Sequence, residues 1–471
     1  MDDDKLHDAC GVVGIYLPGG DAARAAFFGI FSLQHRGQES AGIAASDDNQ
    51  ELHLYRGLGL VNRVFDEHTL NVIPGSLAIG HTRYSTTGSS TLANAQPIPA
   101  NGPLGEVLIA HNGNVVNAEL LRQEALELGA QFVTTTDSEV IAQLIAVLPG
   151  ETWEEKIAAA MLRLEGAYSL TILTKDAVYA VRDPHGFRPL SLGRVGESGW
   201  MAASETCALE NVAAEFVRDV EPGEIVRIDS TGVHSTFGRQ EKRSLCIFEH
   251  IYFSRPDSVL EGRRVYLSRE AMGKELARMH PVEADIVSAV PDSANAAGIG
   301  YAHGSGIPFY ETLVKNRYVG RTFIQPDQRL RDEGVRLKLT PLREVIEGKR
   351  LIIVDDSIVR GTTTRHLIDL LRSAGAKEIH LRVCAPPIRY PCHYGIDMPN
   401  RAELLASDRS VEEIRDELGV DSLGFLDVPS LYRSVAQEGP GFCTACFTGE
   451  YTVPVQVELD KFALERLPLR V

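Results

Sequence analysis

Short apolar runs bounded by glycine or polar residues recur through the first half of the chain. Their alternating pattern is typical of half-buried strands, and it predicts strands over 11–16, 42–45, 77–81, 107–111, 168–173 and 177–181. Between them, apolar residues repeat at spacings of three and four, which predicts helices over 21–35, 117–129 and 138–148. The first half should therefore be an α+β domain in which strands outnumber helices.

The second half has a different order of predicted elements, in which helices and strands alternate. The pattern predicts helices over 268–279, 294–303 and 362–374, and strands over 286–290, 351–354 and 379–384. Such alternation is typical of an α/β domain with a parallel sheet. A polar, turn-rich stretch over 229–244 separates the halves, so we place the domain junction there.

Composition narrows the class of protein. A chain of 471 residues can bury two ordinary cores, and its net charge of -17 disfavours nucleic acid or an anionic membrane as a partner. The acidic start and the lack of a long apolar run favour a cytoplasmic protein. Seven cysteines, an odd number, indicate thiols used for metal binding or nucleophilic chemistry rather than a disulfide framework.

The apolar run 351–354 ends at a polar loop that could bind a sugar phosphate. Two carboxylates there can hold ribose hydroxyls or a hard divalent cation, and the first turn of the next helix offers N–H groups and hydroxyls to a phosphate. The residues concerned are Asp355, Asp356, Ser357, Arg360, Gly361, Thr362 and Thr363. The alternative is an ordinary helix start preceded by solvated aspartates.

This loop resembles the phosphoribosyl pyrophosphate loop of type I phosphoribosyltransferases. The resemblance implies that Asp355 and Asp356 contact the ribose and lie near Mg²⁺, while 357–363 surrounds the 5'-phosphate. Ser293, in the loop 290–293, would lie near the same metal on the pyrophosphate side. The arginine-rich stretch 315–339 resembles the mobile flap of that family, although alone it could be a solvated basic loop.

Cys10 opens the first predicted strand after only nine residues. A buried core cysteine is the ordinary interpretation. The alternative is that removal of residues 1–9 makes Cys10 the N-terminus, so that its own α-amine can act as general base for the thiol.

Four further segments, 33–39, 80–86, 111–114 and 136–139, resemble the glutaminase domain of class II amidotransferases. The resemblance implies an N-terminal-nucleophile fold, a layered αββα sandwich. It implies that Asn112 and Gly113 form the oxyanion hole. It also implies that the side chains holding glutamine are Arg83 at the α-carboxylate, Asp137 at the α-ammonium, Arg36 as a lid contact and Thr86 as a pocket contact.

Four cysteines remain to be explained. Cys443 and Cys446 form a Cys-x-x-Cys pair, whereas Cys246 and Cys392 are isolated. Chemistry alone leaves a [4Fe-4S] cluster and zinc equally open, and fits a redox pair less well. Over nearly its full length the chain resembles the cluster-bearing members of the glutamine phosphoribosylpyrophosphate amidotransferase family, which implies that these four cysteines ligate [4Fe-4S]. Cys207 and Cys384 fall outside that pattern, as small buried hydrophobic residues would.

The resemblance also implies a division of the chain and a reaction. We expect a propeptide over 1–9, a glutaminase domain over 10–235 and a phosphoribosyltransferase domain over 245–471 that ends in a cluster-binding segment. Glutamine would be hydrolysed at Cys10, and its ammonia would be transferred to C1 of 5-phosphoribosyl 1-pyrophosphate in the first step of purine biosynthesis. A homo-oligomer such as a tetramer, inhibited by purine nucleotides, is expected on the same ground.

Two alternative functions remain, one of them a related enzyme and the other a protein of a different class. The chain could be an amidotransferase that makes glucosamine phosphate or asparagine, although such an enzyme would lack the loop 355–363. It could instead be a regulatory protein that uses a phosphoribosyltransferase fold to bind RNA or DNA, although the net charge of -17 counts against that.

Overall fold

The structure is a computed structural model, and it describes residues 10–84, 89–316, 339–398, 400–435, 441–454 and 463–466. The first half contains thirteen strands in the described residues: β1 Gly11–Tyr16, β2 Ser40–Ser46, β3 Leu52–Leu58, β4 Leu77–Arg83, β5 Ile98–Gly102, β6 Gly105–Val115, β7 Gly166–Leu173, β8 Val178–Arg182, β9 Ser191–Val195, β10 Gly199–Ala203, β11 Ala214–Asp219, β12 Glu224–Asp229 and β13 Gly232–Phe237. Its helices are α1 Ala22–Ser32, α2 Val61–Val64, α3 Glu67–Asn71, α4 Ala118–Glu127, α5 Asp137–Val147, α6 Trp153–Met161 and α7 Thr206–Asn211.

These strands form two stacked sheets with helices outside them. The first sheet has the order β11-β9-β10-β1-β4-β2-β3 and the second β13-β12-β8-β7-β6-β5. Side chains of β1 alternate between the two faces. Val12 packs between the sheets, whereas Val13 and Ile15 pack under α1. Helices α4, α5 and α6 cover the outer face of the second sheet. The predicted αββα sandwich is therefore confirmed.

The second half contains a parallel sheet in the order β17-β20-β21-β22. Its strands are β14 Leu245–Cys246, β15 Val259–Leu260, β16 Arg263–Arg264, β17 Ile286–Ala289, β18 Leu313–Lys315, β19 Leu339–Pro341, β20 Arg350–Asp355, β21 Glu378–Val383, β22 Ser422–Phe425 and β23 Phe442–Cys443. Its helices are α8 Val265–Met279, α9 Asn295–Ser305, α10 Arg343–Ile346, α11 Thr362–Ser373, α12 Val411–Leu418, α13 Val428–Val435 and α14 Ala445–Thr448. A π-helical turn spans Glu249–Phe253, and short 3₁₀ turns span Arg401–Glu403 and Ala463–Arg466.

Apolar clusters cover both faces of this sheet, so its strands are continuously apolar rather than alternating. In β20, Ile352 and Val354 pack on one side while Leu351 and Ile353 pack on the other. The parallel α/β domain predicted from the sequence is confirmed. The carboxyl end of β20 carries Asp355, which places the predicted sugar-phosphate loop at the edge where ligands bind in such sheets.

The predicted junction is more structured than its composition suggested. Strand β13 lies within the polar stretch 229–244 and pairs with β12 along its whole length, extending two residues past the boundary placed at 235. It is an edge strand whose last four side chains are exposed. Backbone hydrogen bonds hold such a strand without an apolar pattern, and this is why the sequence did not show it.

A buried ion-pair network joins the two halves. Glu249, on the π-helical turn, lies between two arginines of the first half: Arg36 Nη2 is 2.5 Å from one carboxylate oxygen and Arg188 Nη1 is 3.3 Å from the other. All three side chains are at most 1% exposed. Burial alone raises the pKa of Glu249, but the two guanidiniums lower it below its usual value, so the carboxylate stays charged.

Glu205 completes this network from the first half. It accepts hydrogen bonds from the Arg36 Nε group, from Ser258 Oγ at 2.6 Å and from the Arg255 backbone N–H at 2.8 Å. Two buried guanidiniums thus face two buried carboxylates, and the polar atoms around them come from both halves. A buried charge pair of this kind requires close geometry, because any separation leaves an ion in an apolar environment.

We expect Glu249→Gln to lower the free energy of unfolding by about 3 to 5 kcal/mol. The reason is that two buried guanidiniums, those of Arg36 and Arg188, would then have only one buried carboxylate of this network, that of Glu205. Urea denaturation followed by fluorescence measures the effect. Glu67→Gln is the matched control, since Glu67 also pairs with an arginine, Arg24, but is 76% exposed. Its denaturation midpoint should equal that of wild type. Equal midpoints for both variants would contradict a structural role for the buried network.

Candidate active sites

Cys10 immediately precedes β1 and lies next to the carboxyl end of β4. Its Sγ accepts a hydrogen bond from the Tyr84 N–H at 3.4 Å and lies 3.3 Å from the Tyr84 carbonyl oxygen. Burial raises the pKa of the thiol to about 11 in the chain that carries residues 1–9, although the Tyr84 contact and the Arg83 guanidinium lower it in part. The thiol is therefore protonated at neutral pH in the unprocessed chain.

The predicted oxyanion residues lie on β6, which packs against β4. A ring nitrogen of His81 on β4 is 3.1 Å from the carbonyl oxygen of His111, one residue before Asn112. Both polar atoms of the Asn112 side chain are buried without a hydrogen-bond partner among the described residues. Such a group costs free energy unless a ligand pairs with it, so it is a candidate for substrate binding.

Gly113 adopts a φ of +149°, and a Cβ there would lie 2.0 Å from the Ala167 carbonyl oxygen. A side chain is therefore excluded at this position. Close packing against β7 explains why the residue that follows Asn112 is glycine.

The residues predicted to hold the two ends of glutamine lie near Cys10. Arg83 and Asp137 both act electrostatically on its thiol, and both are buried. Asp137 begins α5, where its carboxylate accepts a hydrogen bond from the Val115 N–H at 3.1 Å. Arg83 Nη1 donates to the Ser89 carbonyl at 3.2 Å and lies 3.7 Å from the carboxylate of Glu39.

The two remaining predicted glutamine contacts are Arg36 and Thr86. Arg36 lies in the buried network described above, where its guanidinium already pairs with Glu205 and Glu249. Its predicted lid role stays a prediction. Thr86 lies outside the described residues, and so do residues 317–338 of the predicted flap. Strands β18 and β19, which pair with each other, flank that segment.

The second candidate site lies at the carboxyl end of β20. Asp355 and Asp356 are at most 3% exposed, and Ser293 Oγ donates to the Asp356 carboxylate at 2.5 Å. Ser357 Oγ donates to the other oxygen of Asp356 at 2.7 Å. The structure thus brings Ser293 of the loop 290–293 to Asp356. Whether these residues share a metal stays a prediction from the resemblance. Carboxylate and hydroxyl oxygens are the ligands that Mg²⁺ prefers.

Helix α11 begins directly behind these carboxylates. Gly361 adopts a φ of +81° as its N-cap, and Thr362 and Thr363 lie in the first turn, the part of a helix whose N–H groups and dipole favour an anion. A small cleft at this end of the sheet is lined by Val290, Leu339, Asp355, Ser357, Ile358, Thr363, Thr364 and Leu367. Arg360, which is partly exposed, pairs with Glu403, with Nη2 2.9 Å from the carboxylate.

The four predicted cluster cysteines come together from three segments. Strands β14 and β23 pair in parallel with Cys246 opposite Cys443, and Cys446 follows in α14. Cys392 accepts a hydrogen bond from the Tyr394 N–H at 3.3 Å. Cys446 is buried and the other three cysteines are partly buried, and loss of solvent raises the pKa of each thiol. The negative charges of neighbouring cysteines raise the pKa values of Cys246, Cys443 and Cys446 further.

These features define a class of protein: an amidotransferase with a glutaminase site in an αββα sandwich and a sugar-phosphate site in a parallel α/β domain. The family models agree. A glutamine amidotransferase domain matches residues 81–211, and a phosphoribosyl transferase domain matches residues 303–391. Among the described residues, every helix falls short of the length and apolarity needed to cross a membrane.

Curated relatives match nearly the whole chain. An amidophosphoribosyltransferase of Synechococcus elongatus is 49% identical over 98% of this chain and 95% of its own length. One of Archaeoglobus fulgidus is 49% identical over 95% and 99% respectively. The solved glutamine phosphoribosylpyrophosphate amidotransferase of Bacillus subtilis, complexed with ADP and GMP, superposes with a TM-score of 0.89 at 46% identity, covering 95% of this chain and 98% of that chain.

The chain therefore belongs to the amidophosphoribosyltransferase family, whose reaction is the first step of purine biosynthesis. Amidophosphoribosyltransferases are metal-dependent enzymes. Since the relatives match both halves together, the two alternative functions raised by the sequence lose their support.

Sequence reasoning missed Glu205, Glu249, Arg188 and the segment 393–395. The only signal was a charged residue inside an apolar stretch, such as Glu249 after Ile247 and Phe248, or Arg188 between Phe187 and Pro189. No local pattern pairs residues that lie 213 positions apart, as Arg36 and Glu249 do.

In a chain that retains residues 1–9, Cys10 should alkylate slowly at pH 8. A thiol pKa of about 11 instead of 9.0 leaves about 100-fold less thiolate at that pH. Iodoacetamide labelling, quantified on the Cys10 peptide by mass spectrometry, should therefore be at least about 100-fold slower than in the urea-unfolded chain, and should accelerate as the pH rises toward 11. Equal rates in folded and unfolded chains would contradict the buried position of Cys10.

Proposed function

We propose that this chain hydrolyses glutamine at Cys10 and transfers the released ammonia to C1 of phosphoribosyl pyrophosphate. The products are 5-phosphoribosylamine, glutamate and pyrophosphate. The observation that carries this proposal is that the Cys10 thiol contacts Tyr84, the residue that follows the buried Arg83, and that the buried Asp137 is also near this thiol. Arg83 and Asp137 suit the two charged ends of an α-amino acid.

The first reaction uses the chain's own groups. After removal of residues 1–9, the α-amine of Cys10 accepts the thiol proton, and the sulfur attacks the amide carbon of glutamine. The oxyanion that forms is stabilised by the Asn112 side-chain amide and the Gly113 N–H. Collapse of this intermediate releases ammonia and leaves a thioester, which water hydrolyses to glutamate. The unpartnered buried amide of Asn112 supports this role.

The second reaction takes place at the end of β20. Asp355 and Asp356 hold the ribose hydroxyls, while Ser357, Arg360, Gly361, Thr362 and Thr363 surround the 5'-phosphate at the start of α11. The hydrogen bond between Ser293 and Asp356 supports a shared metal site, in which Ser293, Asp355 and Asp356 would hold Mg²⁺. Bound Mg²⁺ supplies positive charge that stabilises the departing pyrophosphate.

We propose that Cys246, Cys392, Cys443 and Cys446 hold a [4Fe-4S] cluster rather than zinc. Four sulfur ligands of one zinc ion would lie about 3.8 Å apart, given Zn–S bonds of about 2.3 Å. No three of these sulfur atoms lie within 4.8 Å of one another. The wider spacing supports a larger group, and the N–H···S hydrogen bonds at Cys392 and Cys443 support thiolate ligands.

We propose that residues 1–9 are a propeptide removed autocatalytically, that 10–235 is the glutaminase domain and that 245–471 is the phosphoribosyltransferase domain. The Bacillus subtilis relative was solved with ADP and GMP, which supports inhibition of this chain by purine nucleotides. We also propose a cytoplasmic homotetramer.

Cys10→Ala should lower glutamine-dependent synthesis of phosphoribosylamine by at least about 10³-fold, because the nucleophile is lost. Synthesis driven by ammonium chloride should stay within about twofold of wild type, since ammonia enters after the thiol has acted. Both are measured by pyrophosphate release. An equal loss of the two activities would contradict the division of labour.

The reciprocal control is the double variant Asp355→Asn with Asp356→Asn. It should abolish synthesis from either nitrogen source, because both sources need the ribose and metal contacts. Retained ammonia-dependent synthesis would place the acceptor site in another loop.

Cys443→Ser should remove the iron and the visible absorbance of anaerobically purified protein, because one of four ligands is lost. Iron and zinc are quantified by elemental analysis. Cys207→Ala is the matched control, since Cys207 is buried in the first half, away from the four cysteines, and the variant should keep the iron. Stoichiometric zinc without iron in the wild type would contradict the cluster assignment.

A further inference from the structure

We propose that the segment 392–395 of the second half positions the oxyanion hole of the first half. This segment begins at one of the four clustered cysteines, and it lies directly on strand β6, which carries Asn112 and Gly113. The inference rests on the proposed roles of Cys10, Asn112 and Gly113. It assigns His393, Tyr394 and Gly395 as positioning residues for glutamine hydrolysis, although none of them belongs to the glutaminase half.

The closest contact is between two glycines. Gly395 is buried at a φ of +92°, and a Cβ at this position would lie 2.7 Å from the carbonyl carbon of Gly113 and 3.0 Å from its Cα. On the other side, a Cβ on Gly113 would lie 2.0 Å from the Ala167 carbonyl oxygen of β7. Gly113 is therefore held between β7 and the segment 392–395, and both approaches require glycine.

A hydrogen bond ties the same two chain segments. Asn114 Nδ2 donates to the His393 carbonyl oxygen at 3.1 Å. Asn112 and Asn114 thus flank a glycine whose backbone is in contact with Gly395. The oxyanion strand cannot shift along or away from the segment without breaking this bond or opening the glycine contact.

The segment itself is fixed by the buried charges between the halves. Arg188 Nη2 donates to the Tyr394 carbonyl oxygen at 2.9 Å, and Arg188 Nη1 is 3.3 Å from Glu249. The Tyr394 ring stacks on Phe187 with centroids 4.6 Å apart. Its hydroxyl donates to the Val453 carbonyl at 2.6 Å. Arg188 therefore connects Glu249 to the segment that lies on Gly113.

This arrangement matters because oxyanion donors act only from the correct position. Loss of one such donor lowers kcat by about 10²- to 10³-fold, and a displacement of about 1 Å can cost about 10²-fold. A shift of Gly113 should lower kcat and leave glutamine binding nearly unchanged, because Arg83 and Asp137 make the binding contacts. The glutaminase site is then complete only when the two halves are docked.

The test is the Gly395→Ala variant, assayed for glutamine hydrolysis and for ammonia-dependent synthesis. We expect kcat for glutamine hydrolysis to fall about 10²-fold, with KM for glutamine and ammonia-dependent synthesis within about twofold of wild type. Iron content should equal that of wild type, which shows that the cysteine site is intact. The matched control is Gly419→Ala, because Gly419 also has a positive φ, +71°, but has open space around its Cα.

Asn114→Ala is the second variant, for the case in which Gly395→Ala does not fold. It removes the bond to His393 without adding atoms, and we expect kcat to fall about tenfold with the same unchanged KM and ammonia-dependent synthesis. An unchanged kcat in the folded variants, or an equal fall in ammonia-dependent synthesis, would overturn the positioning role.

Failure of the proposed function gives a different result. In that case wild-type protein would not hydrolyse glutamine, or Cys10→Ala would still hydrolyse it. The positioning role fails separately, when wild type is active, Cys10→Ala is inactive, and Gly395→Ala keeps the wild-type kcat.

Discussion

The structure depends on one buried carboxylate, that of Glu249, which lies between Arg36 and Arg188 at the junction of the two halves. Moving such charges out of water costs several kcal/mol for each ion, and only close pairing offsets that cost. Apolar surfaces can slide over one another, but two guanidiniums converging on one carboxylate fix a single geometry. The network therefore sets the orientation in which the halves meet, whatever it contributes to net stability.

In that orientation, residues 394–395 of the second half lie beside strand β6 of the first half. Arg188 donates a hydrogen bond to the Tyr394 carbonyl oxygen, and Gly395 then lies on Gly113 of β6, the strand for which we propose the oxyanion role. The four cysteines gather at the same junction, where β14 and β23 bring Cys246 opposite Cys443. The sugar-phosphate site is built differently. Its described residues come from loops at the carboxyl edge of one parallel sheet, where Ser293 donates to Asp356.

The sequence predicted best those features whose signal lies within a few residues. These are strands with a regular apolar pattern and loops in which several polar, ligand-binding residue types are adjacent. Strand β1 begins and ends where the apolar pattern predicted, and Asp355 follows β20 as expected, because both signals lie within a few residues. Strand β13 was missed because an edge strand needs no apolar pattern. The buried network was missed because Arg36 and Glu249 are distant in sequence and each is an ordinary charged residue by composition.

The most direct test of the docked arrangement is hydrogen–deuterium exchange of wild type and Glu249→Gln. If the buried charges fix the orientation of the halves, the variant should lose protection together in the peptide that contains Asn112 to Asn114 and in the one that contains Cys392 to Gly395. The sheet that carries β20 should keep its protection. Faster exchange confined to the π-helical turn around position 249, with both of those peptides unchanged, would contradict the account.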